Sequence, residues 1–145
     1  GSAGNSDVPL WRYQIPAIFY AAKIIKPQIY AENSSHIDIA PTLLGFLNLS
    51  YKSKFFGVNV FNADKKYIPR AFVSTYSDLG YFTDNKLFLL KLKKQKKVYD
   101  VEIKNFGYQG SKEVLTSNFS EEKFLNAQDY YQIASDYFKK NKLKE

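Results

Sequence analysis

The chain has 145 residues, of which 45% are hydrophobic and 17% aromatic, a composition that excludes a disordered tail. The net charge of +7 is spread along the chain, with 8 basic against 4 acidic residues in 1–70 and 13 against 10 in 71–145. Nearly all the basic residues are Lys, which lacks the forked geometry with which Arg contacts bases and phosphates, so we expect no nucleic-acid partner. The lack of Cys excludes disulfides and thiolate metal sites. No apolar run approaches the roughly 20 residues of a membrane span, and no leader opens the chain, so we expect any anchor to lie elsewhere.

The first half of the chain predicts a strand and a short helix. Residues 15–21 are a continuous apolar run, which is typical of a strand covered on both faces. A helix follows over residues 38–48, with Asp38 as its N-cap and Pro41 in its first turn. Four apolar side chains share one face of that helix: Ile39, Leu43, Leu44 and Leu47. We therefore expect this face to be buried against the preceding strand.

The second half predicts a small antiparallel sheet. Four short runs rich in aromatic and β-branched residues are typical of strands: 71–76, 81–83, 86–92 and 97–101. Asp84 and Asn85 suit a tight hairpin turn, because both side chains tolerate the left-handed backbone region. Residues 93–96 are expected to form the next turn. The segment 103–119, with two glycines, is expected to be irregular.

A closing helix is predicted over residues 120–140. Ser120 is a suitable N-cap, and Phe119 and Phe124 have the spacing of a hydrophobic staple across it. One apolar stripe follows the helix: Phe124, Ala127, Tyr131, Ala134 and Phe138. We interpret this stripe as core packing, with a binding surface for a partner as the weaker alternative.

The residues that could carry chemistry are few. A single histidine, His36, excludes a histidine-based zinc site within the chain alone, and its spacing from Asp38 points the two side chains to different helix faces. His36 is therefore interpreted as a helix-start or surface residue. The five lysines within Lys91–Lys97 are interpreted as a solvated hairpin tip, and binding of anionic headgroups or glycans is the alternative. We assign no catalytic, substrate-binding or metal-binding residue.

Several of these segments, taken in order, resemble the C-terminal part of sulfatase-family proteins. More narrowly, they resemble the lipoteichoic-acid-synthase-like, phosphoglycerol-transferase branch of the alkaline phosphatase superfamily. The segments are 15–21, 34–47, 55–58, 70–76 with 79–81, and 130–134. The most specific part is the Asp-x-Ala-Pro-Thr-Leu-Leu block at 38–44, followed by Phe-Gly-Val at 56–58. The resemblance covers essentially the whole chain.

The resemblance implies both a fold and a biological context. Residues 1–68 would be the C-terminal edge of a catalytic α/β sheet, and residues 69–145 a small antiparallel sheet with its closing helix; the isolated chain would be α+β. The parent would be a membrane-anchored enzyme acting in the periplasm or on the outer face of the cytoplasmic membrane. It would transfer phosphoglycerol or phosphoethanolamine, or hydrolyse sulfate esters, with a threonine-type nucleophile and divalent Mn, Mg or Zn.

The resemblance also implies that this chain alone is inactive. In the family a metal-binding Asp-His pair precedes a small-residue stretch, and residues 2–4 are similar to that stretch, so we expect the chain to begin beyond the pair. Thr42 does not match the nucleophile position. The implied partners are the missing N-terminal portion and the lipid-linked or glycan substrate of the parent. Because a doubly covered strand needs neighbours, we expect the chain to be soluble only when paired with that portion or with another copy.

Overall fold

The structure is a computed structural model that describes residues 8–103 and 111–140. Within these ranges the chain forms one antiparallel sheet and two α-helices, which confirms the predicted α+β class. The strands are β1 (Ala71–Ser74), β2 (Leu79–Thr83), β3 (Lys86–Leu90), β4 (Lys96–Ile103) and β5 (Ser111–Thr116). The helices are α1 (Ile39–Phe46) and α2 (Glu121–Lys139). Short 3₁₀ turns lie at Leu10–Tyr13, His36–Asp38, Val60–Asn62 and Leu92–Lys94.

The sheet is a meander in which every strand pairs with its neighbour in sequence, in the order β1-β2-β3-β4-β5. Asp84 and Asn85 form the β2–β3 turn with φ values of 50° and 55°, as their tolerance of the left-handed region predicted. The next turn is also confirmed. Its closing hydrogen bond joins Lys91 N to Gln95 O at 2.8 Å.

Both faces of the sheet are covered, because side chains alternate across each strand. On one face, Phe88 and Val98 pack against Phe124 of α2. On the other, Leu87 and Leu89 pack against the N-terminal residues, among which Val8 and Leu10 are buried. The Leu10 N–H also donates to Glu113 Oε1 of β5 at 2.9 Å. The start of the described chain is therefore part of the sheet's core.

β5 was not predicted, and the expectation of irregular structure over 103–119 is wrong for Ser111–Thr116. The residues 104–110 lie outside those that the structure describes. In β5, both Val114 and Leu115 are exposed although they point to opposite faces. The sequence therefore lacks the alternation of apolar and polar residues that marks a half-buried strand, and backbone pairing with β4 defines β5 instead.

The helix α2 begins as predicted. Ser120 Oγ accepts a hydrogen bond from Lys123 N at 3.4 Å, and the Phe119 and Phe124 rings lie 4.9 Å apart across the cap. The predicted apolar stripe is wrong at Phe138, which is 75% exposed. The reason is geometric: Tyr131 already contacts the edge strand β1, and the helix continues for two turns beyond it.

Residues 15–21 do not form a strand, so that prediction is wrong for the isolated chain. The segment is irregular, and Ile18 and Tyr20 are each 88% exposed. Among the described residues no strand pairs with it, and an apolar run cannot form a strand without a backbone partner.

The predicted helix 38–48 is confirmed as α1, but the predicted burial of its apolar face is wrong. Ile39, Leu43 and Leu47 are between 39% and 49% exposed, whereas Pro41 and Thr42 are the buried residues. The physical reason is that residues 15–21 form no strand that could cover the face.

At Gly57 the loop before β1 packs against the backbone of Ile37 and Asp38, the two residues that precede α1. A Cβ at this position would lie 1.9 Å from Ile37 O and 2.8 Å from Asp38 N. We expect Gly57→Ala to lower the free energy of unfolding by about 1–3 kcal/mol, because backbone atoms must move to accommodate the added methyl group. A matched control is Gly45→Ala in α1, whose Cβ would lie nearest to the Asn59 side chain rather than to backbone atoms; that side chain can turn aside by giving up its exposed hydrogen bond from Phe61 N. Urea unfolding of both variants measures this difference, and equal losses would contradict the prediction.

Candidate functional site

The most elaborate polar arrangement of the described residues is a buried ion pair between Asp38 and Arg70. Arg70 Nη1 lies 2.7 Å from Asp38 Oδ2 and Nη2 lies 3.1 Å from Oδ1, and both side chains are 2% exposed. The carboxylate also accepts backbone N–H groups from Ser35 at 2.8 Å and Val58 at 2.9 Å. Four donors therefore surround the Asp38 carboxylate, as a buried charge requires.

Aromatic rings surround the Arg70 guanidinium. Its central carbon lies 5.3 Å from the ring centroid of Tyr67, 5.1 Å from that of Phe72 and 5.6 Å from that of Tyr130. Nη1 also donates to the Tyr67 hydroxyl at 3.1 Å. These contacts favour a buried cation through the ring quadrupoles. Because Phe72 belongs to β1 and Tyr130 to α2, Arg70 connects the sheet, the closing helix and, through Asp38, the entrance of α1.

The electrostatics of this cluster keep Arg70 charged and Tyr67 neutral. Burial alone lowers the pKa of Arg70, but the hydrogen bonds and negative charge of Asp38 outweigh it and hold the pKa above its ordinary value. Burial raises the pKa of Tyr67 to about 12, even though the nearby Arg70 charge acts in the opposite direction. Neither group is therefore prepared to exchange a proton near neutral pH.

The chemical role of the pair is to join segments. The carboxylate joins Arg70, Ser35 and Val58, and Asp38 occupies the N-cap position of α1 as predicted, but its side chain makes no cap hydrogen bond to that helix. Asp38 instead accepts the N–H of Ser35, three residues earlier. Sequence reasoning missed Arg70 as its partner. The available signal was that Arg70 is one of only two arginines in a lysine-rich chain.

The other residues considered from the sequence do not assemble into a reactive site. His36 lies exposed at the start of its 3₁₀ turn. Thr42 is buried, and its hydroxyl lies between Val58 O at 3.4 Å and Val60 N at 3.2 Å, so it anchors the loop before β1. In residues 8–103 and 111–140, no three His, Cys, Asp or Glu side chains are grouped to hold a metal ion.

The lysines of the β3–β4 connection have different environments. Lys91 pairs with Asp78 at 2.6 Å, and Lys96 pairs with Glu121 at 2.5 Å. Lys93 and Lys94 are exposed at the tip of the turn, with φ values of 57° and 59°. The lysines therefore differ: Lys91 and Lys96 are partly buried in ion pairs, whereas Lys93 and Lys94 are exposed at the tip.

A second feature is an exposed apolar surface next to α1, which we define by six residues. They are Ile18, Tyr20, Ile29, Ile39, Leu43 and Leu47. The segment that carries the first three residues lies beside α1 through ring contacts: Phe46 is 5.5 Å from Phe19 and 5.2 Å from Phe61, and Phe61 is 5.5 Å from Tyr30. Monomeric proteins rarely expose many large apolar side chains together, and such surfaces mark interaction sites.

Neither a search for membrane-spanning helices nor comparison with known proteins assigns a function to this chain. None of the helices in the described part of the chain is both long and apolar enough to cross a bilayer. No protein-family model, curated protein or solved structure matches this chain.

Proposed function

We propose that this chain is the C-terminal, non-catalytic portion of a metal-dependent phosphotransferase or sulfatase. Its role is to dock on the catalytic portion and close the structure around it. The parent enzyme transfers phosphoglycerol or phosphoethanolamine, or hydrolyses sulfate esters, outside the cytoplasm. The support is the ordered series of sequence segments that resemble this branch of the alkaline phosphatase superfamily.

The observation that carries the proposal is the apolar surface. Five of its six residues lie in the segments that resemble the edge of the catalytic sheet, 15–21 and 34–47, and those segments expose side chains expected to be buried. A covering layer of protein would remove this surface from water, at about 25 cal/mol per Å² of apolar area. It would also provide backbone partners for residues 15–21, which pair with no strand in the described chain.

The Asp38–Arg70 pair gives this surface a fixed orientation. Asp38 immediately precedes α1, and Arg70 immediately precedes β1, so the pair links the apolar surface to the sheet. Thr42 adds a second link from α1 to the loop at 58–60. The docking surface is therefore a preformed part of the fold, which reduces the entropic cost of association.

The first test measures phosphodiesterase activity on a chromogenic ester, with Mn²⁺, Mg²⁺ or Zn²⁺, for this chain and for the longer protein encoded by the same gene. We expect no turnover above the blank for the chain alone and metal-dependent turnover for the longer protein. Turnover by the chain alone, or none by the longer protein, would contradict the proposal.

The docking role is tested separately with Leu43→Glu. In the isolated chain Leu43 is 43% exposed, so a change within about 0.5 kcal/mol is expected. In the longer protein the same change would bury a charge at the interface and lower its thermal stability and activity. Phe138→Glu is the matched control at an exposed position outside this surface. Equal effects of Leu43→Glu in both proteins would show that the surface is not covered.

A further inference from the structure

Three connections meet at one end of the sheet. The strand register places Ser74, Leu79, Leu90 and Lys96 in one row across β1 to β4. The turns 75–78 and 91–95 extend beyond this row, and the segment 117–120 follows β5 at the same end. We name these three connections the loop end. Asp38 and Arg70 lie at the opposite end, before β1.

The loop end presents apolar side chains at its tips. Tyr76 is fully exposed, Leu92 is 68% exposed, and Phe119 is half exposed where it packs on Phe124. The Lys91–Asp78 ion pair joins the two turns that carry Tyr76 and Leu92. The turns that bear these two exposed side chains are therefore held next to each other.

The charge that the loop end shows to solvent is positive. Its three connections hold three lysines and one acidic residue, Asp78, which pairs with Lys91; at the adjacent helix start Glu121 pairs with Lys96 and Glu122 is exposed. Lys93 and Lys94 are exposed beside Leu92, in a turn whose left-handed backbone displays two successive side chains at the tip. Two cations next to exposed apolar side chains are complementary to a surface that carries negative charge on its outside and apolar groups just below it.

We propose that the loop end docks on an anionic lipid bilayer. Tyr76 and Leu92 enter the headgroup region, and Lys93 and Lys94 contact anionic headgroups. A soluble polyanion would satisfy the lysines but would gain nothing from exposed Tyr and Leu side chains, which favours the bilayer. The proposal does not depend on the enzyme assignment, because it uses none of the residues of the apolar surface.

The charge contribution is measured by co-sedimentation with mixed phosphatidylglycerol–phosphatidylcholine vesicles, and with pure phosphatidylcholine vesicles. Lys93→Asn/Lys94→Asn removes both charges while keeping residues that accept the left-handed turn. At about fivefold per lysine, we expect roughly 25-fold weaker binding to the anionic vesicles. Lys65→Asn/Lys66→Asn, an exposed pair in the loop before β1, is the matched control and should bind like the unchanged chain. Lys93→Arg/Lys94→Arg should retain binding.

The apolar contribution distinguishes a bilayer from a soluble polyanion. We expect Tyr76→Ser/Leu92→Ser to weaken vesicle binding about tenfold, through lost apolar burial, and to leave binding to soluble polyphosphate unchanged. Phe138→Ser removes a comparably exposed side chain outside both the loop end and the apolar surface, and should have no effect. Absence of vesicle binding, equal binding to neutral vesicles, or no effect of the lysine change would overturn the proposal. Unchanged vesicle binding by the Tyr76→Ser/Leu92→Ser variant would assign the loop end to soluble polyanions instead.

Discussion

Replacing Asp38 with alanine should lower the free energy of unfolding by about 3–5 kcal/mol, the loss typical of a broken buried ion pair. The change would leave the Arg70 guanidinium buried among three aromatic rings without its counter-charge. It would also remove the acceptor of the Ser35 and Val58 backbone N–H groups. Urea unfolding followed by far-UV circular dichroism measures the loss.

Two further variants test the origin of this loss. Glu121→Gln removes the partner of Lys96 in an ion pair that is much more exposed, and should cost no more than about 1 kcal/mol. The double variant Asp38→Ala/Arg70→Met should lose less than the sum of its single variants, because no uncompensated charge remains. A loss below about 1 kcal/mol for Asp38→Ala would show that the pair does not hold these segments together.

Replacing Phe124 with alanine should cost about 3–5 kcal/mol, through lost apolar burial and the cavity that remains. Phe124 is fully buried between α2 and the sheet. Its ring lies edge-on to Phe88 at 5.4 Å and also contacts Phe119 at 4.9 Å. The same substitution therefore weakens both the packing of α2 on β3 and the staple at the start of the helix.

The control for this prediction is Phe138→Ala on the same helix. Phe138 is mostly exposed, so its removal should change the free energy of unfolding by no more than about 0.5 kcal/mol. The pair of variants compares one chemical change at a buried and at an exposed position of α2. Similar losses at both positions would contradict the packing described for this helix.

The parts of the fold that sequence reasoning predicted are those with local signals. The Asp84-Asn85 turn has residues that accept positive φ, and the start of α2 has both a cap and a staple. The strands β1 to β4 have aromatic and β-branched residues at short spacing. Each of these signals lies within a few residues of the element that it predicts, so no knowledge of the tertiary structure is required.

The features that sequence reasoning missed depend on distant contacts. Asp38 looks like a helix cap from its neighbours, and only the approach of Arg70, 32 residues away, makes it half of a buried pair. Residues 15–21 have the composition of a buried strand, but the described chain supplies no partner strand. The proposed function also depends on groups outside the described residues, and the resemblance is what indicates them.

The meander order of the sheet has a consequence for how the chain folds. Each pairing from β1 to β4 joins neighbouring segments through a short turn, so the loop-closure entropy for each step is small. The contacts that attach the first part of the chain are much less local: Asp38 to Arg70 spans 32 residues, and Leu10 to Glu113 spans 103. Non-local contacts form more slowly than local ones. The sheet can therefore assemble first, and the segment bearing the apolar surface attaches to it last.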